Sequence, residues 1–443
     1  MNNGSFKVRP EWYSSPERAE QEWDHVWSAT WHMGPRVEEL TDVGDTFLHT
    51  FGRESLIFVR DNDNEVRGYF NVCRHRGNRL LLAEDGPGFV REFRCAFHGW
   101  CYGLDGGLER VPYADRFDAE TLADRSRSGL REFRTETWAG WVWFTLGDAT
   151  PDLTTYLGPL KDRLERYRMD RARIVDYKTF EFGCNWKTCF DSFHESYHFQ
   201  SLHREVLAWG NEDAPITLLN IHSKMINEYG RPSRLYEDQV SINTMLAAVL
   251  AGAGIDPADF PGTAADVRDA VRDAKRAMTG TVFPYETLND SQLTDAHHYT
   301  LFPALHFNLF PEFYVAMRYR PHPSGDPERM YFDFILCVPL AEGVTPPDYS
   351  HRVVRGGAEP VGEILTWGDW KHPVVEQVLA QDVGLVEFVQ KGMKSRSFEE
   401  PILSVDERRI SHHHRMIDDL ICGRASVADL ISTMPVEQTG DQG

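Results

Sequence analysis

Two short cysteine–histidine pairs are the strongest chemical signal in the sequence. Cys73 and His75 form a C-x-H pair, and after nineteen intervening residues Cys95 and His98 form a C-x-x-H pair. Each pair presents one thiolate and one imidazole within a turn, so two such turns can hold one small inorganic centre. A zinc ion and a [2Fe–2S] cluster, with two cysteines on one iron and two histidines on the other, are the alternatives. The pattern favours the cluster, because zinc sites usually combine C-x(2–4)-C with H-x(3–5)-H.

A second group of metal-binding residue types follows about a hundred residues later. Asp191, Glu195 and His198 are spaced at i, i+4 and i+7, which predicts one face of a helix. His203 comes five residues after His198, about 140° further round an ideal helix, so the helix must end, kink or carry a π-turn between them. Two histidines and a carboxylate form the facial triad of mononuclear non-haem Fe(II) oxygenases. His194, in the same run, is expected to pack or to lie outside the metal's own ligands.

The carboxylate of such a triad must come from further along the chain. Asp382 is the best candidate, because it lies in an otherwise apolar helical stretch where an unpaired acid would be costly to bury. Glu387 is its rival. The run His412–His414 is not expected to bind a metal, because three adjacent histidines cannot share one helical face. We expect it to be solvated or to be a typical part of the C-terminal segment.

The elements that would position these residues predict an α+β protein. Residues 1–40 indicate a helical lead-in that packs on the larger domain. Residues 41–147 consist of short β-branched or aromatic segments separated by Gly, Asp and Asn, which predicts a small all-β domain. Residues 148–443 mix long helical patterns, such as 373–391, with strand patterns, such as 174–182, and would form the larger domain.

The composition is that of a folded protein with two or three domains. The chain has 443 residues, 41% of them apolar, and a net charge of −21, which disfavours nucleic acid and anionic membranes as partners. The longest apolar run, residues 245–255, is too short to cross a bilayer, and the first residues lack the apolar core of a signal peptide. We therefore expect a cytoplasmic protein. Seven irregularly spaced cysteines do not predict a disulfide framework.

Taken together, these residues resemble the Rieske non-haem iron aromatic-ring-hydroxylating oxygenases, large (α) subunit. The resemblance extends from about residue 20 to about residue 420, and it includes Asn-Trp-Lys at 185–187 and the Gln-Asp…Glu…Gln-x-Gly segment at 381–392. It implies an N-terminal Rieske [2Fe–2S] domain and a C-terminal helix-grip domain, in which an antiparallel sheet wraps over a long helix. The implied cluster ligands are Cys73, His75, Cys95 and His98. The implied ligands of Fe(2+) are His198, His203 and Asp382.

The resemblance also implies roles for two acids. The family has an acid that hydrogen-bonds a cluster histidine across the subunit boundary, and Glu195 occupies that position. Most members that act on aromatic rings have Asp there, whereas Glu resembles the branch that oxidises quaternary amines. Asp191 matches a position near the iron that is often Asn or Asp. We therefore expect Glu195 and Asp191 to be catalytic residues.

The resemblance implies a terminal oxygenase that hydroxylates a small hydrophobic aromatic or alicyclic substrate with O2. Electrons would come from a separate ferredoxin or flavin reductase, and the subunits would form a homotrimer or an α3β3 assembly. One alternative is a quaternary-amine monooxygenase acting on a compound such as carnitine or glycine betaine. The others are a Rieske electron carrier or redox sensor, and a relative that has lost its iron.

Candidate pocket residues flank the predicted iron ligands and follow an aromatic run downstream. The first group is Ser192, Ser196, Phe199, Leu207 and Trp209, and the second is Phe302, His306, Phe307, Phe310, Phe313 and Tyr314. An aromatic run at strand spacing is more often core than pocket. Where it does line a pocket, it suits either a flat apolar ring or the cation–π binding of a quaternary ammonium group. The apolar character and the long segment 229–285 favour the ring.

Overall fold

The chain divides into two compact units. The computed structural model describes residues 6–83, 85–341, 343–344, 352–355, 373–434 and 436–437, with only the backbone at 352–355 and 373–377. The smaller unit comprises Trp23–Tyr156 and Pro321–Asp326, and the larger unit comprises Met1–Glu22, Leu157–Arg320 and Pro327–Gly443. The smaller unit is therefore an insertion in the sequence of the larger one.

The smaller unit is built from two antiparallel sheets. Its strands are β1 (His32–Arg36), β2 (Asp45–Phe51), β3 (Glu54–Arg60), β4 (Val66–Phe70), β5 (Gly86–Phe89), β6 (Phe93–Arg94), β7 (Cys101–Tyr102), β8 (Leu108–Arg110), β9 (Glu132–Trp138) and β10 (Trp141–Thr145). One sheet has the order β1-β10-β9-β4-β3-β2-β5, and the other has the order β6-β7-β8. The cysteine–histidine turns flank the smaller sheet.

The first unit boundary falls after Glu22 rather than after residue 40. The reason is that β1 pairs with β10, with His32 opposite Phe144 and Met33 opposite Trp143. The expected helical lead-in therefore includes a strand of the β unit.

The larger unit contains one eight-stranded sheet. Its strands are β11 (Ala172–Phe182), β12 (Ile216–Leu219), β13 (His222–Asn227), β14 (Ala296–Leu301), β15 (Leu305–Leu309), β16 (Tyr314–Pro321), β17 (Met330–Pro339) and β18 (Arg352–Arg355). Their order is β12-β13-β14-β15-β16-β17-β11-β18. Strands β12 to β16 pair antiparallel in chain order, and β17 pairs antiparallel with β11. Strand β18 joins β11 in parallel.

Helices surround these sheets. They are α1 (Pro16–Glu22), α2 (Ala119–Ala123), α3 (Arg125–Ser128), α4 (Leu153–Leu157), α5 (Leu160–Glu165), α6 (Trp186–Ser192), α7 (Phe199–Leu202), α8 (Thr244–Gly252), α9 (Val267–Ala277), α10 (Pro373–Met393), α11 (Arg408–Ile421) and α12 (Val427–Thr433). The long helix α10 packs against α6. Among the described helices, none combines the length and the apolar character needed to cross a membrane.

A buried ion network ties three strands of the larger sheet together. Asp333 on β17 accepts hydrogen bonds from Arg318 Nε and Arg320 Nε on β16, both at 2.7 Å. It also accepts one from Thr179 Oγ1 on β11, at 2.6 Å. Burial alone would raise the pKa of Asp333, but the two arginines outweigh it and hold the pKa far below its usual range. Asp333 is therefore a carboxylate in the folded protein.

Candidate metal centre and adjoining cavity

The segment that carries most of the site begins at a capped helix. The Asn185 side chain accepts a hydrogen bond from the backbone N–H of Lys187 at 3.0 Å, which satisfies one free donor at the start of α6. Helix α6 ends at Ser192, whose hydroxyl donates to the Cys189 carbonyl at 2.7 Å.

The expectation that Asp191, Glu195 and His198 share one helical face is wrong, because α6 ends before Glu195. The carbonyl of His194 accepts a hydrogen bond from Arg409 on α11 at 3.4 Å, so a distant side chain takes the place of a further helical bond. A second helix, α7, follows His198 and ends at Leu202. The helix end expected between His198 and His203 is therefore present.

His198, His203 and Asp382 come together although α7 and α10 are far apart in sequence. Their ligand atoms all lie within 4.8 Å of one another. Asp382 Oδ1 is 2.9 Å from His203 Nε2 and 3.4 Å from His198 Nε2. His198 Nε2 is buried and has no hydrogen-bond partner among the described residues. A buried set of two imidazoles and one carboxylate with an unpartnered nitrogen fits a mononuclear Fe(2+).

Two side chains fix which nitrogen of each histidine faces this group. His203 Nδ1 is 2.7 Å from Gln381 Oε1, and His198 Nδ1 is 2.5 Å from Glu195 Oε1. Both oxygens are acceptors, so each Nδ1 carries a proton and Nε2 is the nitrogen of each ring that a metal would bind. Burial lowers the pKa of His198, but the hydrogen bond from its ring to Glu195 outweighs burial and raises it. The sequence pattern alone indicates no role for Gln381, although this residue belongs to the Gln-Asp…Glu…Gln-x-Gly segment.

Glu387, the rival third ligand, lies elsewhere. It follows Asp382 by five residues on α10, about 140° round the helix. Its Oε1 accepts a hydrogen bond from the backbone N–H of Gly183 at 2.8 Å, and its side chain is 31% exposed. The geometry therefore favours Asp382.

Asp191 belongs to a neighbouring polar cluster rather than to the triad. Its Oδ2 accepts a hydrogen bond from the Tyr13 hydroxyl at 2.6 Å and lies 2.9 Å from His414 Nε2. One of its carboxylate oxygens lies within 4.8 Å of a ring nitrogen of His194 and of His413. Burial and then the charge of Arg409 hold the pKa of His194 well below its usual value. The same positive charge disfavours a second cation in this cluster.

The expectation of solvated histidines at 412–414 is wrong. His413 and His414 are each 1% exposed, because α11 presents them to the interior of the larger unit. His413 Nε2 donates to the Pro303 carbonyl at 2.7 Å.

A cavity adjoins the metal-ligand group. Its lining residues are Ser192, Phe193, Glu195, His198, Phe199, Val206, Trp209, Met225, Asn227, Tyr229, His298, Asn308, Phe310, Val315, Met317, Phe334, Val378, Leu379 and Asp382. Trp209 stacks on Tyr229 with ring centroids 4.1 Å apart, and Phe310 lies 6.3 Å from Tyr229. These three rings form an aromatic wall.

The predicted pocket residues divide between this cavity and the core. Ser192, Phe199, Trp209 and Phe310 are lining residues. The predicted residues that are not among the lining residues are Ser196, Leu207, Phe302, His306, Phe307, Phe313 and Tyr314. The strand positions Met225, His298 and Asn308 were missed, because they enter the cavity through strand register, which no local pattern reveals.

The smaller unit brings the two cysteine–histidine pairs together. Cys73 and Cys95 are buried, and His75 Nδ1 lies 3.2 Å from His98 Nδ1. That separation is close to the ~3.4 Å between two ligand atoms of one tetrahedral metal with bonds of ~2.1 Å. The Tyr102 hydroxyl accepts a hydrogen bond from the Arg74 N–H at 3.0 Å and donates to Cys73 Sγ at 3.2 Å.

The two pairs sit on matching turns. The N–H of Gly77 donates to the Cys73 carbonyl and that of Gly99 to the Cys95 carbonyl, each at 3.0 Å. Both glycines have a positive φ, of 76° and 73°, which side-chain-bearing residues rarely adopt. Two thiols on one side and two imidazole nitrogens on the other fit a [2Fe–2S] cluster of mixed ligation.

Two family descriptions match the chain, one in each unit. Residues 30–133 match the Rieske [2Fe-2S] domain. Residues 169–423 match the ring hydroxylating alpha subunit (catalytic domain).

Curated relatives match over part of their length. A glycine betaine monooxygenase oxygenase subunit of Pseudomonas aeruginosa is 27% identical over 203 residues, 46% of each chain. The biphenyl 2,3-dioxygenase subunit alpha of Rhodococcus jostii is 28% identical over 197 residues, 43% of this chain and 42% of the relative. The match therefore spans about half the length of these relatives.

Solved structures have the same fold along nearly the whole chain. A quaternary ammonium Rieske monooxygenase in complex with L-carnitine has a TM-score of 0.66 at 18% identity, over 95% of this chain and 97% of that one. Naphthalene 1,2-dioxygenase from Rhodococcus sp. bound to indole has a TM-score of 0.63 at 19% identity, over 96% of each chain. The α+β fold class predicted from the sequence is confirmed.

The catalytic-domain match alone covers more than half of the chain. Together with the Rieske [2Fe–2S] match in front of it, this confirms the resemblance drawn from the motifs. The protein belongs to the family of ring-hydroxylating oxygenase α subunits.

Proposed function

We propose that this chain is the terminal oxygenase component of a multicomponent Rieske system and hydroxylates a hydrophobic aromatic or alicyclic ring. The observation that carries the proposal is that His198 and Asp382 belong both to the metal-ligand group and to the wall of the cavity. Fe(2+) held by His198, His203 and Asp382 would supply open coordination positions for O2 beside a bound substrate.

The chain's own residues prepare this site. Glu195 accepts a hydrogen bond from Nδ1–H of His198, and Gln381 accepts one from Nδ1–H of His203. These bonds orient Nε2 of each ring as the ligand atom. Trp209, Tyr229 and Phe310 give the cavity an apolar wall against which a ring can pack while water is excluded.

Cys73, His75, Cys95 and His98 would hold the [2Fe–2S] cluster, which would supply the electrons for the reaction. We propose that a separate ferredoxin or flavin reductase supplies them in the cytoplasm. The assembly is a homotrimer or an α3β3 complex, in which Glu195 joins the two centres across the boundary between neighbouring subunits.

A quaternary-amine monooxygenase is the second candidate. The aromatic wall could bind an ammonium group by cation–π contact, and Glu195 occupies a position where most ring-hydroxylating members have Asp. Relatives named for glycine betaine and carnitine add to its support.

The test is an iron analysis followed by a substrate screen. Reconstituted protein is expected to hold about three iron atoms per chain, two in the cluster and one in the triad. Two iron atoms would favour an electron carrier or a relative without the mononuclear site. Turnover with a surrogate reductase and 18O2 should label a ring substrate such as toluene or indane. Labelling of glycine betaine alone would favour the second candidate, and labelling of neither class under conditions that reduce both centres would contradict the oxygenase.

A further inference from the structure

One row of side chains crosses four neighbouring strands at the wall of the cavity. Met225 on β13 lies opposite His298 on β14. Asn308 on β15 lies opposite His298 on one side and opposite Val315 of β16 on the other. All four residues line the cavity. Two polar side chains therefore occupy the centre of a row that is otherwise apolar.

Arg409 fixes the state of the His298 ring. The guanidinium NH2 lies 3.2 Å from His298 Nδ1. A guanidinium can only donate, so Nδ1 accepts and carries no proton. Burial, reinforced by Arg409, holds the pKa of His298 well below its usual value. The ring is therefore neutral with its single proton on Nε2, which makes Nε2–H a donor.

That donor has no acceptor among the residues that the structure describes. His298 is 4% exposed, and its Nε2 has no hydrogen-bond partner among the described residues. The same is true of Oδ1 of Asn227 and of Asn308, which also line the cavity. A buried polar group without a partner is costly, because it has lost its hydrogen bonds to water and gained none in return. Three such groups in one cavity wall indicate that a bound molecule completes their hydrogen bonds.

The Arg409 guanidinium also brings a positive charge to the side of His298 that carries Nδ1. Burial lowers the pKa of Arg409 to about 9, so the guanidinium remains protonated at neutral pH. Its described hydrogen bonds all go to neutral acceptors, which are Ser223 Oγ, the His194 carbonyl, His298 Nδ1 and Thr300 Oγ1. A polarised imidazole with a cation behind it is a strong donor to an oxygen that carries negative charge.

We propose that His298 is a substrate-recognition residue and that the natural substrate carries an oxygen acceptor, a carbonyl or a carboxylate, on an apolar ring. The inference rests on the proposed oxygenase function, since it assigns the substrate class of the same cavity. His298 Nε2–H donates to the substrate oxygen, and Asn308 and Asn227 stand beside it to pair further polar atoms. Arg409 is a positioning residue that fixes the tautomer of His298 and favours a charged acceptor.

The test compares ligands of equal shape in the oxidised protein, without reductant. Acetophenone and α-methylstyrene differ only in C=O against C=CH2, and benzoate adds the charge. Isothermal titration calorimetry should give acetophenone at least a tenfold lower Kd than α-methylstyrene, because a site built for a hydrogen bond rejects a ligand that lacks it. Equal Kd values, or tighter binding of α-methylstyrene, would overturn the proposal. If benzoate binds with a lower Kd than acetophenone, the oxygen acceptor of the natural substrate is a carboxylate. If acetophenone binds with the lower Kd, the acceptor is a neutral carbonyl.

Substitutions test whether His298 is the source of the preference for acetophenone over α-methylstyrene. His298→Leu should bring the ratio of the two Kd values to about one, whereas His298→Gln, which keeps an N–H donor, should retain part of it. His25→Leu, the same change at an exposed histidine outside the cavity, should leave the ratio as it is. Arg409→Gln should weaken the binding of benzoate more than the binding of acetophenone. If Arg409 had only a structural role, the binding of both ligands would weaken equally. If His298→Leu does not fold, the wild-type ratio and His298→Gln decide the question.

Failure of this inference is distinguishable from failure of the proposed function. Binding needs neither electrons nor O2, so a preserved preference for acetophenone without 18O2 incorporation contradicts the oxygenase alone. Oxygenation of hydrocarbon rings with no preference for the oxygen acceptor contradicts the role of His298 alone.

Discussion

At the scale of residues, protonation is decided by groups that lie outside the metal-ligand set. His198 and His203 can bind a metal through Nε2 because Glu195 and Gln381 accept hydrogen bonds from the Nδ1–H groups of the two rings. The resemblance to the family pointed to the glutamate, although the helical face expected from its spacing is absent. The glutamine could not be predicted, since its role exists only once α10 lies against the segment that carries His203.

Asp382→Ala should remove about one iron atom per chain and abolish O2-dependent turnover. Its carboxylate is the only one in the group with His198 and His203, whereas the cluster lies in the other unit. Iron analysis and the visible spectrum of the cluster, which should be unchanged, check this prediction. Glu387→Ala is the matched control, because its carboxylate bonds Gly183 instead. Loss of iron from the control with retention in Asp382→Ala would reverse the assignment.

Glu195→Gln should leave both metal centres loaded and slow electron transfer between them by at least about tenfold, the lower end of the usual effect of an outer-shell change. The amide keeps the shape of the side chain but loses the charge that accepts the His198 ring proton. Single-turnover oxidation of the reduced cluster with substrate and O2 measures the rate. Glu195→Asp is the companion variant, and a wild-type rate in Glu195→Gln would exclude the bridging role.

At the scale of elements, strands and long helices follow the sequence pattern closely. The pattern at 174–182 became β11 (Ala172–Phe182), and the pattern at 373–391 became α10 (Pro373–Met393). The end of α6 at Ser192 could not be predicted, because no local pattern marks it and the segment beyond it makes long-range contacts, such as that of the His194 carbonyl with Arg409. The burial of His413 and His414 likewise depends on where α11 packs, which polarity does not reveal.

Asp333→Asn should lower the free energy of unfolding by about 3–5 kcal/mol, because it leaves two buried arginines without their counter-charge. The pKa of Asp333 is depressed in the folded state. Its contribution is therefore complete above the unfolded-state pKa of about 3.9, and it is lost as the pH falls through the folded-state pKa. Urea unfolding at pH 7 and at pH 3 should show the difference between variant and wild type shrinking at the lower pH.

The control for this experiment is Asp170→Asn. Asp170 is 52% exposed, and its carboxylate pairs with the surface residue Arg168. A change of less than about 1 kcal/mol is expected. Equal losses in the two variants would contradict the buried network as the source of stability.

At the scale of the whole molecule, the two groups of metal-binding residues could be predicted in part from spacing, which marked the cysteine–histidine pairs and the histidines at 198 and 203. Asp382 was predicted from the apolar stretch around it, and the domains from their strand and helix patterns. The cavity could be predicted only in part, since Phe199, Trp209 and Phe310 carried a signal and the strand residues His298 and Asn308 did not. Their position depends on the register of four strands, which is a property of the folded sheet.

Mixed assemblies should test the proposed transfer between subunits. Cys95→Ala removes a predicted cluster ligand and Asp382→Ala a predicted iron ligand, so each variant alone should be inactive. Co-expression with two different tags and tandem purification should give mixed trimers with partial activity, because an intact cluster of one chain can serve the intact iron site of its neighbour. Mixed assemblies as inactive as their parents would exclude transfer between subunits.

The discontinuous larger unit has a consequence for how the protein is made. The ribosome completes Trp23–Tyr156 while about 290 residues are still to be added, a delay of roughly 15–60 s at ~5–20 residues per second. The β domain can fold and receive its cluster during that time. The iron site cannot, since Asp382 is added more than two hundred residues after Tyr156. Tyr13 cannot form its hydrogen bonds with Asp191 and His414 until both of those residues have been synthesised. Limiting iron–sulfur supply should therefore damage nascent chains, whereas Fe(2+) can be restored to finished protein.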